Sequence, residues 1–514
     1  MYSSEIIKKK FATVLDLLEA NAREYPNKIA IHEDQESITY QDLCDKVKNF
    51  AIKTQQMGVN PHDTIAICAS TSIYYVIAFL GGLKSGAAIA PLAPSSSAES
   101  LLAMLNNCKA KIIFHDDSTK ELMQDINDDM KASKINFDTT EFNNFIGKTK
   151  VEFNEVEIGP DWAFNLIYSS GTTGAPKGIV QPHSMRWAHV QRGIDSEYSN
   201  QSVILISTPL YSNTTLVSFF PGISLGGTVV LMKKFNALNF LKLAEKFKVT
   251  HAMLVPVQYQ RIMTLNEFEK FDLSSFKQKF CTSAPFSSEL KSDVLKRWPG
   301  GLTEYYGMTE GGGTVILKAH EFPNKLNTVG KPAATSDIRL INDDGIEVPQ
   351  GKIGEVVGSS PAMMKEYYRE PAKTKEAEWF SPDNKRFIRT GDIGYFDNDG
   401  FLVLMDRKKD MIISGGFNIY PSDLELVLSV HPQVQEASVV GVPSKEWGET
   451  PVAFVVLKNK SNVKTDTASI LEWANQKLGK FQRISELFIV EELPRSHIGK
   501  VLKRELRNNW EKTT

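Results

Sequence analysis

Residues 169–178 read Ser169-Ser170-Gly171-Thr172-Thr173-Gly174-Ala175-Pro176-Lys177-Gly178. The run holds three glycines, four hydroxyl side chains and one lysine. Glycine reaches positive φ at little steric cost, so such a loop can turn its N–H groups inward. Hydroxyls and an ammonium group add donors suited to phosphate oxygens. Residues 163–168 just before it read as a buried strand, Asn165 aside. A strand that enters a glycine-rich turn is a good seat for a polyphosphate. The Walker pattern does not fit, because Pro176 stands where its second glycine must be. A phosphate loop of another kind is expected. A flexible Gly/Ser/Thr linker is the alternative, and the Pro-Lys-Gly exit argues against it.

Four further clusters carry chemistry-bearing side chains. In Glu304-Tyr305-Tyr306-Gly307-Met308-Thr309-Glu310 an aromatic can stack on a base, a hydroxyl can donate to phosphate and a carboxylate can hold Mg²⁺. The same residues also read as a buried aromatic strand ending in a glycine turn. In Thr390-Gly391-Asp392 the aspartate can accept hydrogen bonds from both hydroxyls of a ribose, or form an Asx turn. Asp406-Arg407-Lys408-Lys409-Asp410, followed by Ser414-Gly415-Gly416, suits a segment that must rotate, or is a solvated charge run. Ser496-His497-Ile498-Gly499-Lys500 offers a mobile positive charge before a final helix, or an ordinary surface lysine.

The elements that must position these groups follow from the apolar pattern. Helices are expected over 12–25, 40–57, 73–83 and 98–107, with strands over 29–38 (a pair), 87–92 and 111–115. Residues 203–207, 228–232 and 251–255 read as further buried strands. This alternation predicts a layered α/β domain. After residue 330 short strands and turns dominate, with a hairpin around Asn398-Asp399-Gly400. Beyond 406 the chain restarts as a small α/β unit. There a capping box over Ser422 to Glu425 opens a helix, 437–442 and 451–457 are strands, and 467–478 is amphipathic. The 514 residues exceed one core. The expected division is 1–405 and 406–514, with the hinge at 406–410.

Composition narrows the function classes. Lysine plus arginine, 59, nearly cancel aspartate plus glutamate, 61, which argues against a general nucleic-acid binder. Cys44, Cys68, Cys108 and Cys281 show no metal or disulfide spacing, so a reducing, cytoplasmic setting is expected. Lys8-Lys9-Lys10 has no apolar stretch behind it and is not expected to be a secretory signal. The apolar stretch 74–93 is interrupted by Gly81-Gly82, Lys84 and Gly86. It reads as a buried helix running into a strand rather than a membrane span.

Taken in order and spacing, these clusters resemble the AMP-forming acyl-CoA synthetases. Their superfamily also contains 4-coumarate–CoA ligases, firefly luciferases and peptide-synthetase adenylation domains. The match covers nearly the whole chain, and the pair 169–178 and 406–425 is its most specific part. The resemblance implies a large layered α/β N-terminal domain with a turn-rich β subdomain, and a small mobile α+β C-terminal domain. It implies that Ser169, Ser170, Gly171, Thr172, Thr173, Gly174 and Lys177 wrap the β and γ phosphates of ATP. Tyr306 would stack the adenine, with Ala284, Glu304, Tyr305, Gly307 and Met308 around the nucleotide. Thr309 would touch the α-phosphate, Glu310 would ligate Mg²⁺, and Asp392 and Arg407 would hold the ribose. Lys500 would bridge the substrate carboxylate and the α-phosphate. Rotation at Lys409 would then withdraw Lys500 and bring Ser414, Gly415 and Gly416 to CoA.

The implied reaction is acid plus ATP to acyl-AMP and pyrophosphate, then transfer of the acyl group to CoA. The acid pocket would be lined by Tyr211, Ser212, Ser283 and Gly307, with an apolar fatty or aryl acid expected. Two departures fall there. Many relatives carry a histidine where this chain has Ser212, and a Gly-Gly-Ala-Pro run where it has Thr282-Ser283-Ala284-Pro285. The alternatives are loading of a separate carrier protein, a luciferase-like oxygenase, and a non-catalytic nucleotide-binding relative. The last is disfavoured because Lys177, Glu310, Asp392, Arg407 and Lys500 are all present. A homodimer is an open alternative to a monomer.

Overall fold

Short β-branched runs between turn residues are stable as strands only when both faces are covered, and the chain uses them that way. The computed structural model describes residues 1–126, 132–169, 176–414, 417–458, 467–479, 482–496 and 500–513. Contacts divide the chain into two units, Met1–Asp337 with Gly358–Ile388, and Ile338–Val357 with Arg389–Thr514.

Among the described residues the first unit carries two large sheets. One has nine strands, in the order Lys331–Pro332, Val315–Lys318, Gly301–Tyr306, Gln278–Cys281, His251–Leu254, Val203–Ile206, Thr228–Leu231, Ile29–Glu33, Glu36–Thr39. Its six central strands are parallel, with Val229 opposite Ile204 and Cys281 opposite Glu304. Antiparallel strands close both edges. The other has seven strands, centred on Ala88–Pro91, which is buried along its whole length, as is its neighbour Thr64–Cys68. One apolar core takes Ile31, Ile204 and Val229 from the first sheet and Ile65, Ile89 and Phe164 from the second. Phe79, Leu80 and Phe220 of helices Ile73–Lys84 and Asn213–Ser224 join it.

The stretch tested as a membrane span is this twelve-residue core helix followed by the buried strand Ala88–Pro91. A Cβ at Gly81 would stand 2.5 Å from the Phe50 ring, and one at Gly82 2.5 Å from Ile89. The glycines are there for close packing. No helix among the described residues is long and apolar enough to cross a membrane.

In the second unit the Asn398-Asp399-Gly400 turn closes a hairpin in which Phe396 pairs with Leu402 and Asp392 with Arg407. Further on, the long strand Gly448–Leu457 is the centre of a five-stranded sheet, paired along its length with Val434–Ser444. Alternate residues face opposite ways. Val439, Ala453 and Val455 pack on Leu424, Leu428 and Ile470, whereas Val440, Val442 and Phe454 pack on Leu506. The layered α/β reading and the smaller α+β unit are both observed.

One local reading is corrected. No capping box forms over Ser422 to Glu425. The helix Pro421–Ser429 starts at Pro421, and the Ser422 N–H donates to Asp406 Oδ2 at 2.8 Å. The strand-end carboxylate caps more strongly than a serine hydroxyl could, because it carries charge to the positive end of the helix. Glu425 is spent elsewhere. It accepts from the Val439 N–H at 2.8 Å and pairs with Lys503 at 2.9 Å. Asp406→Ala should therefore cost the second unit about 1 kcal/mol, read as an earlier denaturant midpoint. Ser422→Ala should be near neutral, and the reverse order of effects would restore the capping box.

Candidate active site

The parallel strands of the first unit deliver their carboxyl ends to one edge of the sheet, where open α/β sheets bind ligands. Strand Val203–Ile206 leads to Tyr211 and Ser212, strand Gln278–Cys281 to Ser283 and Ala284, and strand Gly301–Tyr306 to Gly307 and Met308. Residues Ser170, Gly171, Thr172, Thr173 and Gly174 lie outside the described residues. Their flanks are fixed, since Ser169 pairs with Lys177 and Tyr168 with Gly178 in one antiparallel ladder.

From that ladder a line of contacts runs to the 304–310 motif. The Lys177 ammonium lies 5.1 Å from the centre of the Tyr367 ring, and the Tyr367 hydroxyl donates to Glu310 Oε1 at 2.8 Å. The Glu310 carbonyl accepts from the Met364 N–H at 2.7 Å. The Thr309 carbonyl accepts from Gln181 Nε2 at 2.8 Å. Thr309 and Glu310 are thus held by the strand that leaves the glycine-rich loop and by residues 364–367. Met308 packs on Ile179, Met364 and Tyr367.

The aromatic residues of the motif differ in setting. Tyr305 places its hydroxyl 3.0 Å from that of Ser196, under the Arg192 guanidinium. Tyr306 is half-buried at the strand end, opposite Val315. The Glu304 side chain is buried against Lys291 at 2.5 Å, and that ammonium also donates to the carbonyls of Leu326 and Thr328. Burial raises the Glu304 carboxyl above its usual range, with Lys291 opposing.

Around the expected acid pocket, Ser212 is buried at the start of helix Asn213–Ser224. Thr214 Oγ1 and Ser283 Oγ stand 2.6 Å apart, which ties that helix to the strand end at Ser283. Ser283 has φ +82°, a left-handed conformation that a residue with a Cβ rarely adopts. Burial pushes the Tyr211 phenol up to about 12.

The second unit gathers a separate set. Arg407 Nε lies 3.3 Å from Asp392 Oδ1 across the hairpin. The Thr390 hydroxyl accepts from the Asp392 N–H at 3.0 Å, with Gly391 at φ +71°. Lys500 sits in the field of the same groups. Burial pulls its ammonium down to about 8, Arg407 and Lys409 pull further, and Asp392 and Asp410 oppose. Asp410 is engaged by Arg507 at 3.1 Å. Ser414 is buried and pairs with Phe417 and Gly448. Gly415, Gly416 and 497–499 lie outside the described residues. A half-buried ammonium crowded by cations is poised for an anion, whose arrival would restore its proton affinity.

Sequence reading does not single out Tyr367, Gln181 or Arg186. Gln181 offered one signal, a long polar side chain inside an otherwise apolar strand. Tyr367, in a two-residue strand, and Arg186, on a helix, offered none.

The comparisons with known proteins agree with this geometry. The AMP-binding enzyme family matches residues 18–368, and the AMP-binding enzyme C-terminal domain matches 423–500. The chain is 30% identical over 494 residues to a 4-coumarate–CoA ligase of Vanilla planifolia, covering 92% of this chain and 88% of that protein. It is 30% identical over 497 residues to a feruloyl-CoA synthase of an Amycolatopsis species, with 95% and 97% covered. Among solved structures it is similar to the o-succinylbenzoate CoA synthetase of Bacillus subtilis in complex with its acyl-adenylate intermediate. There the TM-score is 0.83, the identity 27%, and the cover 96% of this chain and 97% of that one. The chain belongs to the AMP-binding enzyme family.

Proposed function

We propose that this chain is an ATP-dependent carboxylic acid–CoA ligase. An oxygen of the acid attacks the α-phosphorus of ATP, the bond to pyrophosphate breaks, and an acyl-adenylate remains. The sulfur of CoA then attacks the acyl carbon, the bond to AMP breaks, and the thiol proton is lost to the medium. The observation that carries this reading is the Asp392–Arg407 pair held across its hairpin, with Lys500, far along the chain, in the field of both. A ribose and a phosphate need that combination of carboxylate and cations.

In this reading Ser169 to Gly174 and Lys177 hold the outer phosphates, and Tyr306 stacks the adenine beside Ala284, Tyr305 and Gly307. Glu304, spent on Lys291, serves the nucleotide only through its strand. Thr309 meets the α-phosphate. Glu310 is a hard oxygen ligand of the kind Mg²⁺ takes together with substrate phosphates. When bound, that ion neutralises charge on the phosphate oxygens. Asp392 accepts from the ribose hydroxyls beside Arg407, and Lys500 bridges carboxylate and phosphate. The domains are 1–405 and 406–514, and rotation about Lys409 exchanges Lys500 for Ser414, Gly415 and Gly416 between the two steps. The relatives named for coumarate and ferulate argue for an aryl acid. With Tyr211, Ser212 and Gly307 as the other expected pocket residues, the hydroxyl pair of Thr214 and Ser283 suits a phenolic hydroxyl. The four free cysteines fit a cytoplasmic setting.

The test is a pyrophosphate-release screen over fatty, benzoic and hydroxycinnamic acids, with CoA or a carrier protein as acceptor. Release that depends on the acid, with thioester formed on CoA and hydroxycinnamates fastest, is expected. Thioester on the carrier alone, or silence with every acid while ATP still binds, contradicts the proposal.

The Lys500 assignment has its own signature. The ammonium is charged below about 8, so kcat/KM for pyrophosphate release should fall as pH rises through that value. Lys500→Arg should lack that limb. Lys500→Ala should lose roughly 10²–10³-fold in adenylation yet still convert a supplied acyl-adenylate with CoA. A flat pH profile, or equal loss in both half-reactions, would remove Lys500 from the first step.

A further inference from the structure

Helix His183–Asp195 buries an arginine that no carboxylate among the described residues answers. Arg186 is 1% exposed and forms no ion pair among the described residues. Its guanidinium lies between two rings, 5.3 Å from the centre of Phe164 and 5.4 Å from that of Phe220. Its polar contacts among the described residues are all neutral. Nη2 donates to Gln181 Oε1 at 2.7 Å, to Asn213 Oδ1 at 3.2 Å and to Asn165 Oδ1 at 3.5 Å. Nη1 lies 3.4 Å from Nδ1 of His189, whose proton affinity burial lowers well below the ordinary range. Nε meets no acceptor among the described residues. Burial pulls the guanidinium down to about 9, which still leaves it charged at neutral pH.

A buried cation without an anion is expensive, and neutral partners repay only part of that cost. A site of this kind makes sense where the missing anion arrives with the substrate. Arg186 is one amide away from the expected chemistry. Gln181 accepts from Arg186 through Oε1 and donates through Nε2 to the Thr309 carbonyl at 2.8 Å and to Asn213 Oδ1 at 3.2 Å. Asn213 follows Ser212 at the start of the helix that borders the acid pocket. One guanidinium therefore sets both the threonine of the 304–310 motif and the first residue of that helix.

The geometry points to Arg186 as a positioning residue for adenylate formation, which holds Thr309 through Gln181 and supplies the buried positive charge that the anionic reactants answer. This inference rests on the ligase reading above. It also accounts for the absence of a histidine at Ser212. The positive charge at the start of that helix is then the guanidinium bonded to Asn213 rather than an imidazolium at residue 212.

The test separates the two half-reactions in the full chain, using acid-dependent ATP–pyrophosphate exchange and acyl-CoA formation from supplied acyl-adenylate. Arg186→Met should lower the exchange kcat by about 100-fold with little change in the KM for ATP, and should leave the second half-reaction nearly intact. Arg186→Lys should recover part of the loss. Asn213→Asp keeps the same acceptor atom but places a carboxylate beside the guanidinium. It should hold or raise the unfolding midpoint while lowering exchange about 10-fold, so the inference stays testable if Arg186→Met does not fold. Proportional loss of both half-reactions, or full exchange in Asn213→Asp, overturns it. Wild-type protein that makes no adenylate with any acid overturns the ligase reading itself, whereas active wild type matched by Arg186→Met overturns the positioning role alone.

Discussion

Two anions must meet for an acid to attack a phosphate, and their repulsion is the constraint on which the rest of this structure depends. Charge grows on the phosphoryl oxygens as the reaction proceeds, so cations fixed in advance stabilise the transition state more than the bound reactants. In the proposed reading the chain meets that demand with side chains that are costly to keep. Lys500 is half-buried among other cations and holds its proton less tightly than an exposed lysine. Arg186 is buried with only neutral partners among the described residues. Each is a local instability that an incoming anion would relieve, which is how a site stores affinity for charge that is not yet present.

The fold serves the same end. Parallel strands buried on both faces need no polar side chains along their length, so the polar residues collect at the carboxyl ends. Tyr211, Ser212, Ser283, Gly307 and Thr309 all follow such ends. The hydrogen bond from Gln181 to the Thr309 carbonyl and that from Tyr367 to Glu310 then link the phosphate-loop strands to the 304–310 motif. In the second unit the same economy puts Asp392 and Arg407 on paired strands, so their separation is set by a β ladder rather than by flexible side chains.

Much of this was legible in the sequence, and the rest was not for physical reasons. Apolar runs such as 203–207 and 228–232 announced buried strands, and the Asn-Asp-Gly turn at 398–400 announced its hairpin, because these signals are local. The capping box at Ser422 misled because a competing acceptor, Asp406, approaches from a strand distant in sequence. That the Glu304 side chain is buried against Lys291, on a neighbouring helix, was equally hidden from the sequence. Arg186 was invisible for the same reason. A helical arginine reads as a solvated charge, and only the packing of Phe164 and Phe220 around it shows otherwise. The motif residues declare their chemistry by type and spacing, whereas the groups that orient them are chosen by three-dimensional proximity.

The central claim is that the acid becomes bonded to the α-phosphorus before sulfur displaces it. Oxygen labelling tests this most directly. With a substrate acid labelled with ¹⁸O in both carboxylate oxygens, turnover with ATP and CoA should leave one labelled oxygen in the phosphate of AMP and none in pyrophosphate. Label in pyrophosphate or inorganic phosphate, or unlabelled AMP beside labelled water, would show that the acyl group was activated by another route.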